Sequence, residues 1–461
     1  MVEKFLNIFR IPDLRKRVLF MLAILAVYRL GAWIPTPGVD TTRITQFFDQ
    51  QGGSALGLMN LFGGGNMRRM TIFALGIMPY ITASIIFQLL TVVYEPLARL
   101  QKEGELGRRK ITQWTRYVTV ILGALQSIGI AAILTRGGYV LHPGIGFGMM
   151  TVLTLTTGTA FIMWLGEQIT DRGIGNGMSL LIFAGIVAGL PHGVLELVQK
   201  VQTYAWGSFT FLAVILMLIA MVAVVAFIVY VERAERRIPI QSARRIVGRR
   251  MMGGQSSHLP LKVNSGGVMP VIFASSILSA PLLFAQADWV QNNRFISPII
   301  QSLAPGYPWY VFLNMIAIIF FAYFYVSIVM KPDDIADNFR KSGSFIPGIR
   351  PGKRTSDFIN DILTRITLVG ALYLIVITLV PTFMISGIRL DKLFLIGRFF
   401  ESLPNWTTHG LGVNFYFGGT SLLIVVGVAM DTINQIESQL IMRHYEGFSP
   451  RSGRIRGRKT W

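Results

Sequence analysis

Ser208-Phe-Thr-Phe-Leu-Ala-Val-Ile-Leu-Met-Leu-Ile-Ala-Met-Val-Ala-Val-Val-Ala-Phe-Ile-Val-Tyr230 contains no charged residue. Wound as a helix at about 1.5 Å per residue, it is roughly 35 Å long, enough to cross the ~30 Å hydrocarbon core of a bilayer. Nine further apolar runs lie near 18–34, 71–93, 115–134, 149–168, 178–192, 267–287, 309–330, 366–386 and 414–434. Lipid offers the backbone no hydrogen-bond partners, so such runs must satisfy their own amides, and a helix does so within one segment. The chain therefore reads as an all-α membrane protein of ten transmembrane helices. The run at 178–192 is short, and that at 267–287 contains Pro270 and Pro281, which mark a bend or break.

The rest of the composition agrees. Of 461 residues, 52% are hydrophobic and 14% charged, against about 25% charged in a soluble globular domain. The chain has no cysteine, which excludes disulfides, thiolate metal sites and thiol catalysis. The 43 basic residues exceed the 23 acidic ones by 20. The loops on the side of both termini hold 33 of the basic residues and the opposite loops hold nine, so the positive-inside rule places both termini in the cytoplasm. The first apolar run ends in Ile34-Pro-Thr-Pro-Gly38 rather than in a small-residue cleavage site, and reads as a retained span.

Function classes fall away next. Arg29, Glu167 and Asp431 stand at or near span ends, and no span centre carries the ionisable pair that proton or sodium coupling needs. Nor is there a phosphate-binding Gly-Lys-Ser/Thr loop, a His-Glu-x-x-His metal motif or a Gly-x-Ser-x-Gly elbow. The chain is expected to be no enzyme, to hold no cofactor or metal, and to draw the energy for vectorial work from outside itself.

Three features carry more than one reading. Ser54-Ala-Leu-Gly-Leu-Met-Asn-Leu-Phe62 is flanked by Gly52-Gly53 and Gly63-Gly64-Gly65; it is either an extracytoplasmic loop or a short re-entrant helix, too short to span. The pairs Ile81/Ile85 and Ile182/Ile186 each share a helix face; they pack against neighbours or lipid, or they form an apolar constriction that blocks ions by dewetting. The loops 231–266 and 331–365 are basic at their tips, as in Gly248-Arg249-Arg250 and Pro347-Gly-Ile-Arg350-Pro-Gly352; they anchor orientation or dock an acidic protein or an RNA surface. The small polar residues Gln126, Ser275 and Ser276 are suited to joining neighbouring helices.

Several strings then occur in one order: Arg29-Leu-Gly31 with Ile34-Pro-x-Pro-Gly38, Ile72-Phe-Ala-Leu-Gly-Ile-Met-Pro-Tyr-Ile81, Gly166-Glu-Gln-Ile-Thr-Asp-Arg-Gly-Ile-Gly-Asn-Gly177, His258-Leu-Pro-Leu-Lys-Val-Asn264, Ile272-Phe-Ala-Ser-Ser276, Ala336-Asp-Asn338 with Ile346-Pro-Gly-Ile-Arg-Pro-Gly-Lys353, and Phe415-Tyr-Phe-Gly-Gly-Thr-Ser421. This series resembles the SecY/Sec61-alpha family, the central subunit of the Sec protein-conducting channel, from about residue 5 to 447. The resemblance implies two inverted halves of five spans, 18–192 and 208–434, joined by a hinge loop at 193–207, with a cytoplasmic segment 1–17 and a basic tail 435–461. It implies a pore ring of Ile81, Ile85, Ile182, Ile186, Ile272 and Ile424. It implies a plug at 54–66, including Leu56, Leu58, Met59, Asn60, Leu61, Phe62, Gly63 and Gly64.

By the same resemblance the second and third spans face the seventh and eighth across a lateral gate, with Gln126, Ser275 and Ser276 on gate helices. Arg249 and Arg250 fall on one docking loop and Arg350 on the other. The implied partners are the SecE and SecG subunits, the SecA motor ATPase, the ribosome, preproteins, SecD/SecF, YidC and membrane lipid, but not DNA, and the implied location is the bacterial inner membrane. The function implied is a passive gated channel for unfolded secretory polypeptides, which releases signal sequences and membrane helices sideways into lipid. A secondary transporter for a small solute, also built from inverted repeats, is the alternative, and it lacks midplane ligands here. The loop between Pro381 and Phe415 is longer than the family pattern, so no residue correspondence is carried across 385–412.

Overall fold

The computed structural model describes residues 11–50, 63–203, 210–242, 245–247, 250–252, 256–283, 296–303, 307–386 and 419–448, and each of the ten apolar runs carries a helix. The first is α1 (Pro12–Gly31), opened by Pro12, whose missing N–H costs nothing in the first turn. A short surface helix, α2 (Thr41–Gln50), follows, and Asp40 Oδ1 accepts from the amides of Thr42 at 3.1 Å and Arg43 at 3.3 Å.

The second span begins later than its apolar run. Residues 63–77 are turns, and α3 is Met78–Val93. Gly76 has φ +58°, and Pro79 sits in the first turn, so a helix cannot propagate back through either. The backbone groups released there are taken by the end of the first span: the Ile72 amide donates to Ile34 O at 3.0 Å, and the Thr36 amide to Met70 O at 2.8 Å. Past Tyr94, which is extended at φ −105° and ψ 105°, the chain bends by 99° into α4 (Glu95–Lys102), and Pro96 has no N–H with which α3 could continue.

The first half is completed by α5 (Glu105–Arg136), α6 (Ile145–Arg172) and α7 (Gly177–Gln202). Asn176 Oδ1 accepts from the amides of Met178 and Ser179 and so caps α7. That helix runs to Gln202 through Pro191, well beyond the apolar run at 178–192 and into the stretch expected to be a hinge loop. The second half comprises α8 (Thr210–Arg233), α9 (Met269–Leu283), the short α10 (Ile296–Ser302), α11 (Pro308–Val329), α12 (Pro332–Ser342), α13 (Lys353–Ser386) and α14 (Gly419–Phe448). Among the described residues five helices are long and apolar enough to cross a membrane by length and composition alone, and the bent α3–α4 pair makes a sixth.

Packing divides these helices in two. In the first half α3 packs on α5, α5 on α6 and α6 on α7; in the second α9 packs on α11, α11 on α13 and α13 on α14. The same neighbour order thus occurs twice. The halves meet along two edges, α3 against α9 on one and α7 against α14 and α8 on the other. Leu14 of α1 and Ile174 before α7 share a small apolar cluster with Ile436 and Leu440 of α14, so the start of the first helix and the end of the last lie on one face.

The basic loop 231–266 is a β-hairpin, which its sequence left open between helix and strand. β1 (Glu235–Ser242) pairs antiparallel with β4 (Ser256–Lys262) in the register Glu235↔Lys262 to Gln241↔Ser256, and β2 (Arg245–Val247) pairs with β3 (Arg250–Met252) toward the tip. The second basic loop joins it, because β5 (Ser344–Phe345) adds to the other edge of β1 through Gln241↔Phe345 and Ser242↔Ser344. Alternation puts Ile238 and Ile240 inward, and Ile238 and Leu261 pack with Ile346, Ile359 and Leu363. The two loops stand on one apolar base.

Candidate functional site

Four helices from both halves bring the predicted isoleucines together. Ile81 and Ile85 lie on α3, Ile182 and Ile186 on α7, Ile272 on α9 and Ile424 on α14, and all six belong to one buried cluster, none more than 6% exposed. Above them, on the face that holds the ends of α1 and α14, is a cavity of about 650 Å³. Ile81, Ile182 and Ile272 line it, together with Tyr80, Arg116, Glu167, Glu232, Asn264 and Asp431. A polar vestibule therefore narrows onto an apolar floor. Such a floor offers no hydrogen bond or charge to a solute.

The described end of the predicted plug, from Gly63 on, is pressed against α7. A Cβ built on Gly64 would lie 2.5–2.8 Å from the backbone of Gly185, which stands between Ile182 and Ile186. Gly64 also has φ +67°, so it needs glycine both for its conformation and for its approach. The next turn is fastened to the first span, where Asn66 Nδ2 donates to Tyr28 Oη at 3.3 Å. We expect Gly64→Val to push the turn off Gly185; if 54–66 closes an ion path, as the resemblance implies, ion conductance across bilayers holding the protein should rise by about tenfold or more, and an unchanged conductance would dismiss Gly185 as the seat. Of the predicted plug, Gly63 and Gly64 are described, while Leu56, Leu58, Met59, Asn60, Leu61 and Phe62 lie outside the described residues.

The other predicted residues are placed as follows. Ser275 and Ser276 are buried on α9, the helix that meets α3, and their hydroxyls donate along their own helix, to Val271 O at 2.9 Å and Ile272 O at 2.7 Å. Gln126 is half-buried on α5, behind α3, and its Oε1 has no partner among the described residues. Arg350 is exposed on the turn between β5 and α13. Arg250 opens β3, and Arg249, like the long loop 387–413, lies outside the described residues.

Several vestibule contacts gave no local signal. Arg116 Nε donates to Glu167 Oε1 at 2.7 Å across α5 and α6, and Asn264 Nδ2 to Glu232 Oε1 at 2.6 Å. Between the halves, the Gly175 amide donates to Gln435 Oε1 at 2.9 Å, across 260 positions of sequence.

Comparison with known proteins bears on this arrangement. The SecY family model matches residues 71–433. Protein translocase subunit SecY of Escherichia coli strain K12 is 47% identical over 441 residues, covering 94% of this chain and 93% of that one. The chain belongs to the SecY family. A second SecY, from Streptomyces griseus, is 47% identical over 467 residues, covering 97% of this chain and all of the other. The SecY fold is also seen in a solved protein-conducting channel with a TM-score of 0.64 at 17% identity, each chain 95% covered. Sec61 in a canine ribosome–channel complex from the endoplasmic reticulum superposes with a TM-score of 0.59 at 15% identity, again with 95% of each chain covered. SecY proteins form a ten-span family of protein-conducting channels and are not enzymes, and the helical order found here is theirs.

Proposed function

We propose that the six isoleucines are the constriction through which this chain passes unfolded polypeptides, and that the segment 54–66 seals it from the far side. One observation carries the reading: apolar side chains from both halves converge at the floor of a polar cavity, on helices that belong to no single contiguous stretch of sequence. A constriction shared between halves widens when the halves part. The seam of α3 and α9 is the edge at which parting exposes the path to lipid, whereas α7, α8 and α14 hold the opposite edge. Signal sequences and membrane helices leave through that seam in this reading, past α5, which carries Gln126, and α9, which carries Ser275 and Ser276.

The face bearing the ends of α1 and α14 is taken as cytoplasmic, in the inner membrane, on the distribution of basic residues. The two basic loops on their shared base then present Arg249, Arg250 and Arg350 to the SecA motor or to the ribosome. The ribosome-bound Sec61 relative lends weight to the second. SecE and SecG would complete a heterotrimer. SecD/SecF and YidC would act on the same path.

Site-specific cross-linking tests the path. A secretory chain stalled in reconstituted vesicles, with a photoreactive side chain placed at position 182, is expected to form a cross-link to the stalled polypeptide. A channel that carried small solutes, or a scaffold with no path, would give none, and the reading would be abandoned.

A further inference from the structure

The vestibule has a charge opposite to that of the chain around it. Its lining includes four carboxylates, Glu167, Asp171, Glu232 and Asp431, and two cations, Arg116 and Lys262. In a chain with 43 basic and 23 acidic residues, the concave surface in front of the isoleucine floor is thus short of two positive charges.

The deficit is not spread evenly. Glu167 is neutralised by Arg116 at 2.7 Å. On the opposite wall Lys262 Nζ is 3.6 Å from Asp431 Oδ1, and both side chains are about half or more exposed, which makes that pair weak. Glu232 accepts from the neutral Asn264 amide at 2.6 Å and has no cation within ion-pair distance among the described residues. It is nevertheless close enough to Asp431 for the two carboxylates to repel. Behind it the hydroxyl of Tyr373, a residue only 6% exposed, has no partner among the described residues and lies within electrostatic reach of Glu232. Two carboxylates therefore share one lysine, next to an unpartnered buried hydroxyl. The cavity wall beside them carries the ring of Tyr325, and aromatic faces attract cations as carboxylates do.

We propose that Glu232 and Asp431 form a receiving site for lysine or arginine side chains of the translocating polypeptide, so that the vestibule admits cationic segments in preference to neutral or acidic ones. A second cation beside Lys262 would balance the two carboxylates. A narrow cleft lined with one sign of charge also concentrates the opposite sign at its mouth. The basic loops outside have the opposite preference and attract acidic partners. The two surfaces thereby sort by charge, partner from substrate, within one face of the molecule. This inference rests on reading the cavity as the mouth of the polypeptide path.

The experiment compares two forms of one preprotein in motor-driven reconstituted vesicles, one with several lysines in its leading segment and the other with serines in their place. At low salt the ratio of lysine-form to serine-form export should fall by about twofold to fivefold in the double variant Glu232→Gln, Asp431→Asn, the scale of partly exposed ion pairs. Glutamine keeps the bond to Asn264, so the helix end is not disturbed. In the wild-type channel the same ratio should shrink as salt cuts the screening length from about 10 Å at 0.1 M to about 3 Å at 1 M. Glu232→Lys should turn the ratio toward a form with glutamates in the leading segment. A ratio that is the same in wild type and double variant at low salt, or that ignores salt, overturns the inference. The path itself is read separately: an arrested serine-form chain that cross-links to a probe at position 432 upholds it whatever the ratio, and a missing cross-link removes the path and the inference together.

Discussion

Ile424→Asn and Ile182→Asn are each expected to raise export of a reporter with a defective signal sequence by about tenfold or more. In the structure Ile424 is fully buried and Ile182 nearly so. An asparagine there strands a buried amide, at about 1–3 kcal/mol, and forfeits the roughly 1.5–3 kcal/mol of an isoleucine's burial. In the open channel the same position faces a water-filled path or a passing chain, and most of that cost disappears. The substitution thus destabilises the closed state selectively, and a difference of about 1.4 kcal/mol suffices for a tenfold shift toward open.

The control is Ile377→Asn on α13. Ile377 belongs to the same apolar cluster and is only 2% exposed, but it lies on a helix that supplies none of the six isoleucines. It should lower thermal stability comparably without rescuing the reporter. Unchanged export in the ring variants, or equal rescue by Ile377→Asn, would reduce the ring to ordinary core packing.

How much of this could be read in the sequence depended on the range of the interactions. Hydrophobic runs and loop charges are local quantities, and they gave ten helices in the right order and a face for both termini. The pairs Ile81/Ile85 and Ile182/Ile186 announced a face through their four-residue spacing. Ile272 and Ile424 have no isoleucine four residues away on their helices and so had no spacing to announce; only the family resemblance singled them out.

The start of α3 was placed seven residues early because the apolar run continues through 71–77. The glycine conformation and the bonds to Ile34 and Thr36 that break the helix there lie outside a hydropathy window. The seat of Gly64 on Gly185 depends on two distant glycines meeting, which no local pattern records. The same is true of Glu232 with Asn264 and of Gly175 with Gln435, where the partners are specified by how the halves are packed. The shared base of the two basic loops was hidden for a related reason: β5 is only two residues long, too short for alternation to be seen.

Arg350→Glu is expected to leave the protein inserted and folded but to cut motor-driven translocation by at least tenfold. Arg350 sits on the turn between Ile346 and Lys353, which is fixed from beneath. Ile346 is buried in the loop base, Thr355 Oγ1 donates to Arg350 O at 2.9 Å, and Gly348 and Gly352 hold φ +83° and +111°. The backbone is thereby shaped without help from the arginine side chain, which is exposed and has no ion-pair partner among the described residues. An exposed substitution of this kind changes stability by about 0.5 kcal/mol or less, so a lost activity would not be a lost fold. A guanidinium held out on a rigid turn can fork onto a carboxylate of a docking partner, and reversing one charge of such a contact costs about 2–5 kcal/mol, well over tenfold in binding. Arg350→Lys should fall between, because the ammonium keeps the charge and loses the fork. Translocation at the wild-type rate in Arg350→Glu vesicles, with the motor's ATPase still stimulated, would show that the driving contact is made elsewhere on the two loops.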